Sequence, residues 1–230
     1  MPKAVITGAS GKLGRVFALT LAKNGYSLVL HCHTNREALL PLKEELARMR
    51  CAVTIAVCDL AQPDDRMAFA RACFDAETEV LINSAACFSR ETMAETSADD
   101  AVGVFALNTF APYDLCRSFA ALRARLSPGL AVNILDSKIF LNASRYAAYT
   151  LSKKSLADIT RLAACEFAPQ LRVNAIAPGC LFPEGASWTE RAPLGNAGTV
   201  EDIGYALEFF LRAKSVTGQI LCVDGGLSLG

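Results

Sequence analysis

Short, continuously apolar runs alternate with helix-period segments along the whole chain. The runs are Ala4–Thr7, Leu28–His31, Val53–Val57, Val80–Asn83, Leu130–Leu135, Val173–Ala177 and Ile220–Val223. They lack the apolar–polar alternation of a strand with one wet face. Continuous apolarity marks strands covered by helices on both faces, as in parallel sheets. Between them, Leu13–Asn24, Arg36–Arg50, Asp64–Asp75, Asp99–Leu126, Ala147–Phe167 and Val200–Leu211 read as helices. Gly25, Pro128-Gly129 and Pro169 punctuate several of their ends. The alternation predicts an α/β fold, a Rossmann-like, doubly wound parallel sheet of about seven strands with right-handed crossovers. The 230 residues suit one domain over 1–230. The one long irregular stretch, Pro178–Thr199, follows the carboxyl end of the sixth strand, where ligands bind in open α/β sheets. It is expected to be a short substrate loop and a lid.

Composition narrows the partners. Hydrophobic residues make up 52% of the chain, ample for a large core. Lysine plus arginine and aspartate plus glutamate number 23 each, so no basic face for nucleic acid or a membrane surface is expected. No apolar run reaches the length of a membrane span, and Met1–Thr7 leads straight into a strand, so no signal peptide is expected. Nine scattered cysteines without a paired motif read as reduced thiols in a cytoplasmic protein. His31-Cys32-His33 could place two imidazoles on one strand face, but no further ligand cluster accompanies them, and no metal is expected.

The first strand runs into Thr7-Gly-Ala-Ser-Gly-Lys-Leu-Gly14, which opens the first helix. Gly8 allows a tight turn, and Gly14 lets helix and strand approach closely. The helix N-terminus then faces a pyrophosphate, with Ser10, Lys12 and Leu13 as further cofactor contacts. An acid at the end of the second strand would select NAD by binding the ribose 2′-hydroxyl. Here His33, Thr34, Asn35 and Arg36 stand there instead, all able to donate to a 2′-phosphate, and Lys12 adds a nearby charge. NADPH is the expected cofactor.

Tyr149-Thr-Leu-Ser-Lys153 puts a phenol and an ammonium on one helix face, and Asp136 stands thirteen positions before the tyrosine. A lysine beside a phenol favours phenolate and makes a better proton shuttle. Together with the glycine loop and its glycines at 8, 11 and 14, this resembles the short-chain dehydrogenase/reductase family over essentially the whole chain. The resemblance implies that Tyr149 donates the proton, Lys153 lowers its pKa and binds the nicotinamide ribose, and Asn108 holds a relay water. It also implies cofactor contacts at Asp59 and Leu60, at Asn83, Ser84 and Ala85, and at Pro178 and Gly179. Asn83-Ser-Ala-Ala86 departs from the family's usual Asn-Asn-Ala-Gly, and Val223-Asp-Gly-Gly226 resembles its structural C-terminal turn.

Most family members carry serine where Asp136 stands. An aspartate there resembles the pteridine reductases, as do Ser84-Ala-Ala-Cys-Phe88, His31-Cys-His33 and Asn108-Thr-Phe-Ala-Pro-Tyr113. A serine hydroxyl can donate to a carbonyl oxygen, whereas an ionised carboxylate only accepts. Asp136 therefore suits a substrate with N–H donors, or a C=N bond whose nitrogen gains a proton. The resemblance places Phe88 where a ring stacks on the pterin, so Phe88, Asp136 and Tyr149 are the expected substrate contacts. The expected activity is NADPH-dependent reduction of a dihydropterin or dihydrofolate. Two alternatives stay open: reduction of a small carbonyl such as a 3-oxoacyl thioester, with Ser137 replacing Asp136, and a weakly active nucleotide-binding regulator. The helices at Asp99–Leu126 and Ala147–Phe167 match those that pair across subunits in the family, which implies a homotetramer.

Overall fold

The computed structural model describes residues 1–142, 145–181 and 191–229. Seven strands form one parallel sheet in the order β3-β2-β1-β4-β5-β6-β7. They are β1 (Lys3–Thr7), β2 (Ser27–Cys32), β3 (Val53–Val57), β4 (Thr78–Asn83), β5 (Gly129–Ile134), β6 (Leu171–Pro178) and β7 (Ile220–Val223). The helices are α1 (Lys12–Lys23), α2 (Leu40–Arg48), α3 (Pro63–Cys73), α4 (Ala98–Phe105), α5 (Ala111–Arg123), α6 (Ala147–Glu166) and α7 (Val200–Arg212). The order reverses between β1 and β4, which opens a crevice at their carboxyl ends.

Successive strand residues feed opposite layers. Ala4, Ile6, Leu28, Leu30, Val80 and Ile82 pack with Phe17, Leu21, Leu207 and Phe210 of α1 and α7. Val5, Val29, Leu81 and Ala131 pack with Phe69, Leu115 and Phe119 of α3 and α5. This two-sided burial explains why the strands read as unbroken apolar runs.

Two predicted helices are each divided. Asp99–Leu126 is not one helix: α4 passes into a π-helical turn at Ala106–Phe110 and then into α5, which ends at Arg123. Pro112 has no N–H to give the Asn108 carbonyl four residues back, and its ring crowds that carbonyl, so the ladder widens there. Arg36–Arg50 is also shorter than expected. Asn35 accepts from the Ala38 N–H, a tight turn covers Glu37–Leu39, and α2 follows with Pro41 in its first turn. Of the expected lid, residues 182–190 lie outside the described residues. Its described end packs under the C-terminal turn, where Leu194 N–H donates to the Gly225 carbonyl. A Cβ at Gly225 would lie 1.6 Å from the Asn196 oxygen, so that turn has a packing role.

Arg123 is a buried anchor that its helical register does not announce. Its side chain is 1% exposed. Its Nε donates to the Ser127 carbonyl at 2.7 Å and Nη1 to the Thr78 carbonyl at 2.9 Å. Nη2 also donates to the Ser127 carbonyl and hydroxyl. The guanidinium thus ties the end of α5 to the start of β4. Arg123→Met should lower unfolding stability by about 3 kcal/mol, the scale of buried carbonyls losing a charged donor. Chemical denaturation measures this, and a change under about 0.5 kcal/mol would contradict the anchoring role.

Candidate active site

The crevice begins with the glycine loop. Gly8 has φ +64°, and a Cβ on it would lie 2.7 Å from the Ala85 Cα. A Cβ on Gly14 would lie 2.5 Å from the Ala9 Cα, so both positions are closed to larger residues. Gly11 caps α1 without a side-chain hydrogen bond, and no acid stands in the helix's first turn. This leaves an N-terminus suited to a phosphate. Thr7 Oγ1 accepts from the Ser84 and Ala85 N–H groups at 3.0 and 3.1 Å, tying β1 to the segment after β4.

Beside this loop lies a groove of about 540 Å³. Of the expected cofactor residues, Gly8, Ser10, His33, Asp59, Leu60, Ser84 and Ala85 line it together. His31, Ala61, Ala86, Cys87, Gly103 and Leu107 line it as well. Lys12, Leu13, Gly14, Thr34, Asn35, Asn83, Tyr149, Lys153, Pro178 and Gly179 lie outside that lining. Asn83 is turned into the sheet, where its Nδ2 donates to Asn133 Oδ1 at 2.8 Å, so its side chain serves the core. Gly179 is fixed by packing, since a Cβ there would lie 2.4 Å from the Ala197 oxygen. His33, Thr34, Asn35 and Arg36 are exposed, and His33 among them lines the groove. Asp59 Oδ1 accepts from the Ala61 N–H and lies 3.8 Å from His33 Nε2. The donors, the uncapped helix end and the groove together fit a dinucleotide.

The reactive groups meet at the end of β5. Tyr149 on α6 is 6% exposed, and its hydroxyl donates to Asp136 Oδ2 at 3.0 Å. Asp136 Oδ1 accepts from the Lys138 N–H at 2.8 Å, capping a turn at Ser137–Phe140. Lys138 Nζ lies 3.5 Å from Asp136 Oδ2. It is therefore the aspartate, not the buried Ser137, that faces the tyrosine.

One expectation about this set is corrected. The Tyr149 pKa is raised well above the ordinary tyrosine value, not lowered. Burial is the main cause, followed by the charge and hydrogen bond of Asp136. Lys153 is itself buried and donates to the Ile134 carbonyl at 2.7 Å, and burial brings its pKa down to about 8. The Asn108 side chain is also committed elsewhere. Its Oδ1 accepts from Cys87 N–H at 2.9 Å, and its Nδ2 donates to the Cys87 carbonyl and to Ser152 Oγ. The amide clamps the Cys87 segment to α6.

That clamp presents Phe88, which is 49% exposed and therefore no core residue. Its ring centroid is 4.6 Å from that of Tyr149 and 5.0 Å from that of Tyr146. Tyr146 adopts φ +65°, rare for a bulky residue, and is held by N–H donation to the Arg90 carbonyl at 3.4 Å. Lys138 Nζ sits 5.3 Å from the Tyr146 ring centre and 5.8 Å from that of Phe88. Tyr146 and Lys138 escaped the sequence reading. Their spacing was the signal: Tyr146 lies three residues before Tyr149, and Lys138 two after Asp136.

Known proteins match this arrangement. A family model described as enoyl-(acyl carrier protein) reductase matches residues 8–228. An uncharacterized oxidoreductase of Mycobacterium tuberculosis is 32% identical, over 98% of this chain and 91% of its own. Pteridine reductase 1 of Leishmania tarentolae is 27% identical, over 99% of this chain and 96% of its own. The crystal structure of FolM alternative dihydrofolate reductase 1 from Brucella canis, complexed with NADP, superposes with a TM-score of 0.93 at 25% identity. That superposition covers 100% of this chain and 95% of the other. The chain belongs to the short-chain dehydrogenase/reductase family, and within it is similar to pteridine reductase 1 and the FolM proteins.

If Asp136 holds the Tyr149 proton in place, Asp136→Asn removes the charge that opposes phenolate. The Tyr149 pKa should then fall, while burial keeps it above the ordinary tyrosine value. Titration of ¹³Cζ-labelled tyrosine by NMR measures this, and an unchanged or higher value would contradict the electrostatic role of Asp136.

Proposed function

We propose that the protein is an NADPH-dependent reductase of a pterin, with dihydropterins and dihydrofolate as its substrate class. The observation that carries this reading is the Tyr149 hydroxyl bonded to an aspartate carboxylate where a carbonyl reductase needs a donor. An ionised carboxylate repels a developing oxyanion but accepts well from ring N–H and amino groups. Asp136 would orient such a ring. Tyr149, kept protonated by its raised pKa, would deliver the proton to ring nitrogen. The half-exposed Phe88 would stack on the flat heterocycle and exclude water. NADPH, when bound, supplies the hydride to ring carbon.

The FolM structures in complex with NADP support the cofactor reading, as does the absence of an acid from His33 to Arg36. His33, Thr34, Arg36 and the Asn35 amide N–H₂ would hold the 2′-phosphate. Lys153 would meet the nicotinamide ribose. The nine free thiols suit a cytoplasmic setting. Exposed Phe110, Tyr113, Leu151 and Leu162 give the helical face an apolar surface, which supports assembly as a homotetramer.

Exchanging the acceptor for a donor separates the reactions. Asp136→Ser should lose most pterin turnover, about 10²-fold, the scale of a lost acid–base or orienting group. Reduction of simple ketones and 3-oxoacyl thioesters should stay level or rise. Phe88→Ala should raise the pterin KM with little change in that for NADPH. Undiminished pterin turnover in Asp136→Ser, with its loss in Ser137→Ala, would overturn the reading.

A further inference from the structure

The chain has two histidines, and the proposed function gives a role to His33 alone. His33 is exposed at the groove's edge. His31, near the end of β2, is 2% exposed and makes two hydrogen bonds from its ring. Nδ1 lies 3.2 Å from the Gly8 nitrogen, and Nε2 lies 3.1 Å from the Cys58 oxygen. The Gly8 N–H can only donate and the Cys58 carbonyl can only accept. The ring is therefore neutral, with its hydrogen on Nε2. An imidazolium has no acceptor, so a proton on Nδ1 would face the Gly8 N–H donor to donor.

Gly8 is the residue on which the loop turns. It takes φ +64° against Ala85, its carbonyl accepts from the Gly11 N–H at 3.1 Å, and the Ala9 N–H donates to the His31 carbonyl at 2.8 Å. The His31 ring thus spans from the end of β3 to the peptide that shapes the phosphate-facing loop. We propose that His31 is a positioning residue for the cofactor: as a neutral imidazole it rivets the glycine loop into its receiving shape, and acid releases the rivet.

The surroundings set the sign. On its own strand end His33 opposes protonation, and after β3 Asp59 and the Cys58 carbonyl favour it. From α3 only the edge of the Phe69 ring packs on it, at 5.2 Å. Burial outweighs the rest and holds its pKa below the ordinary histidine value. The rivet is thus intact above about pH 6.5 and is lost as pH falls through the depressed value.

The inference rests on reading the groove as a dinucleotide site. Its test is equilibrium binding of NADPH and NADH, from about pH 8 to about pH 5. Both arms carry His33→Gln, which removes the other imidazole, and NADH lacks the titrating 2′-phosphate. With His31 present, both dissociation constants should rise as pH falls through the His31 pKa, by at most about tenfold per pH unit, the limit for one linked proton. His31→Gln offers one acceptor and one donor without titrating. It should bind within about threefold of the parent at pH 8 and lose the acid dependence. His31→Phe keeps a ring but makes neither bond, and should bind about tenfold more weakly at pH 8.

In the ligand-free protein, ¹⁵N shifts of the His31 ring should report hydrogen on Nε2 at neutral pH. Equal acid dependence with and without His31, or hydrogen on Nδ1, would overturn the proposal. If His31→Phe does not fold, the glutamine arm and the ring shifts decide. Failure of both nucleotides to bind at any pH would instead sink the cofactor reading, and this inference with it.

Discussion

One hydrogen bond organises the site: the hydroxyl of the buried Tyr149 donating to Asp136. Burial penalises phenolate, and the adjacent carboxylate penalises it further. The tyrosine is thereby kept as an acid. The aspartate keeps more acceptor capacity than a serine hydroxyl would offer, and donates nothing. Much nearby structure maintains that pair. β5 delivers Asp136, the capped turn after it fixes the carboxylate, and α6 presents Tyr149. Lys153 is held on the last residue of β5 by the Ile134 carbonyl.

The π-helical turn has a place in this arrangement. Widening the ladder before Pro112 brings Asn108 to the Cys87 main chain, and through it Phe88 to Tyr149. The dinucleotide side is tied down separately. Thr7 grips the segment after β4, and His31 grips Gly8. The first grip lies at the reversal point between β1 and β4, the second between β2 and β1, both where the chain leaves the sheet. Side chains take over the role that ladder hydrogen bonds play elsewhere.

The sheet was legible because both its faces are covered, so each strand appears as an apolar run within one or two residues of its true ends. Tyr149 and Lys153 were legible because a four-residue helical spacing puts them on one face, and Asp136 because its spacing to Tyr149 resembles the family's. The division at Asn108 was written in Pro112 but hidden by strong apolar periodicity on either side. The direction of the Tyr149 pKa was not legible. It depends on burial and on which Asp136 oxygen faces the phenol, both products of the tertiary fold. Nor could sequence show that the Asn108 amide was already committed to Cys87. Tyr146 in the left-handed region contradicts its own backbone preference, and only the contacts around it account for that.

The most direct test of this account is the wild-type enzyme with NADPH and a mixed panel: dihydrobiopterin, dihydromonapterin, dihydrofolate, acetoacetyl thioesters and simple ketones. An acceptor carboxylate at Tyr149 predicts that kcat/KM for at least one pterin exceeds that for every carbonyl compound by about 10²-fold or more, about 2.7 kcal/mol of differential transition-state stabilisation. Efficient reduction of ketones or thioesters, with no turnover of any pterin, would contradict it.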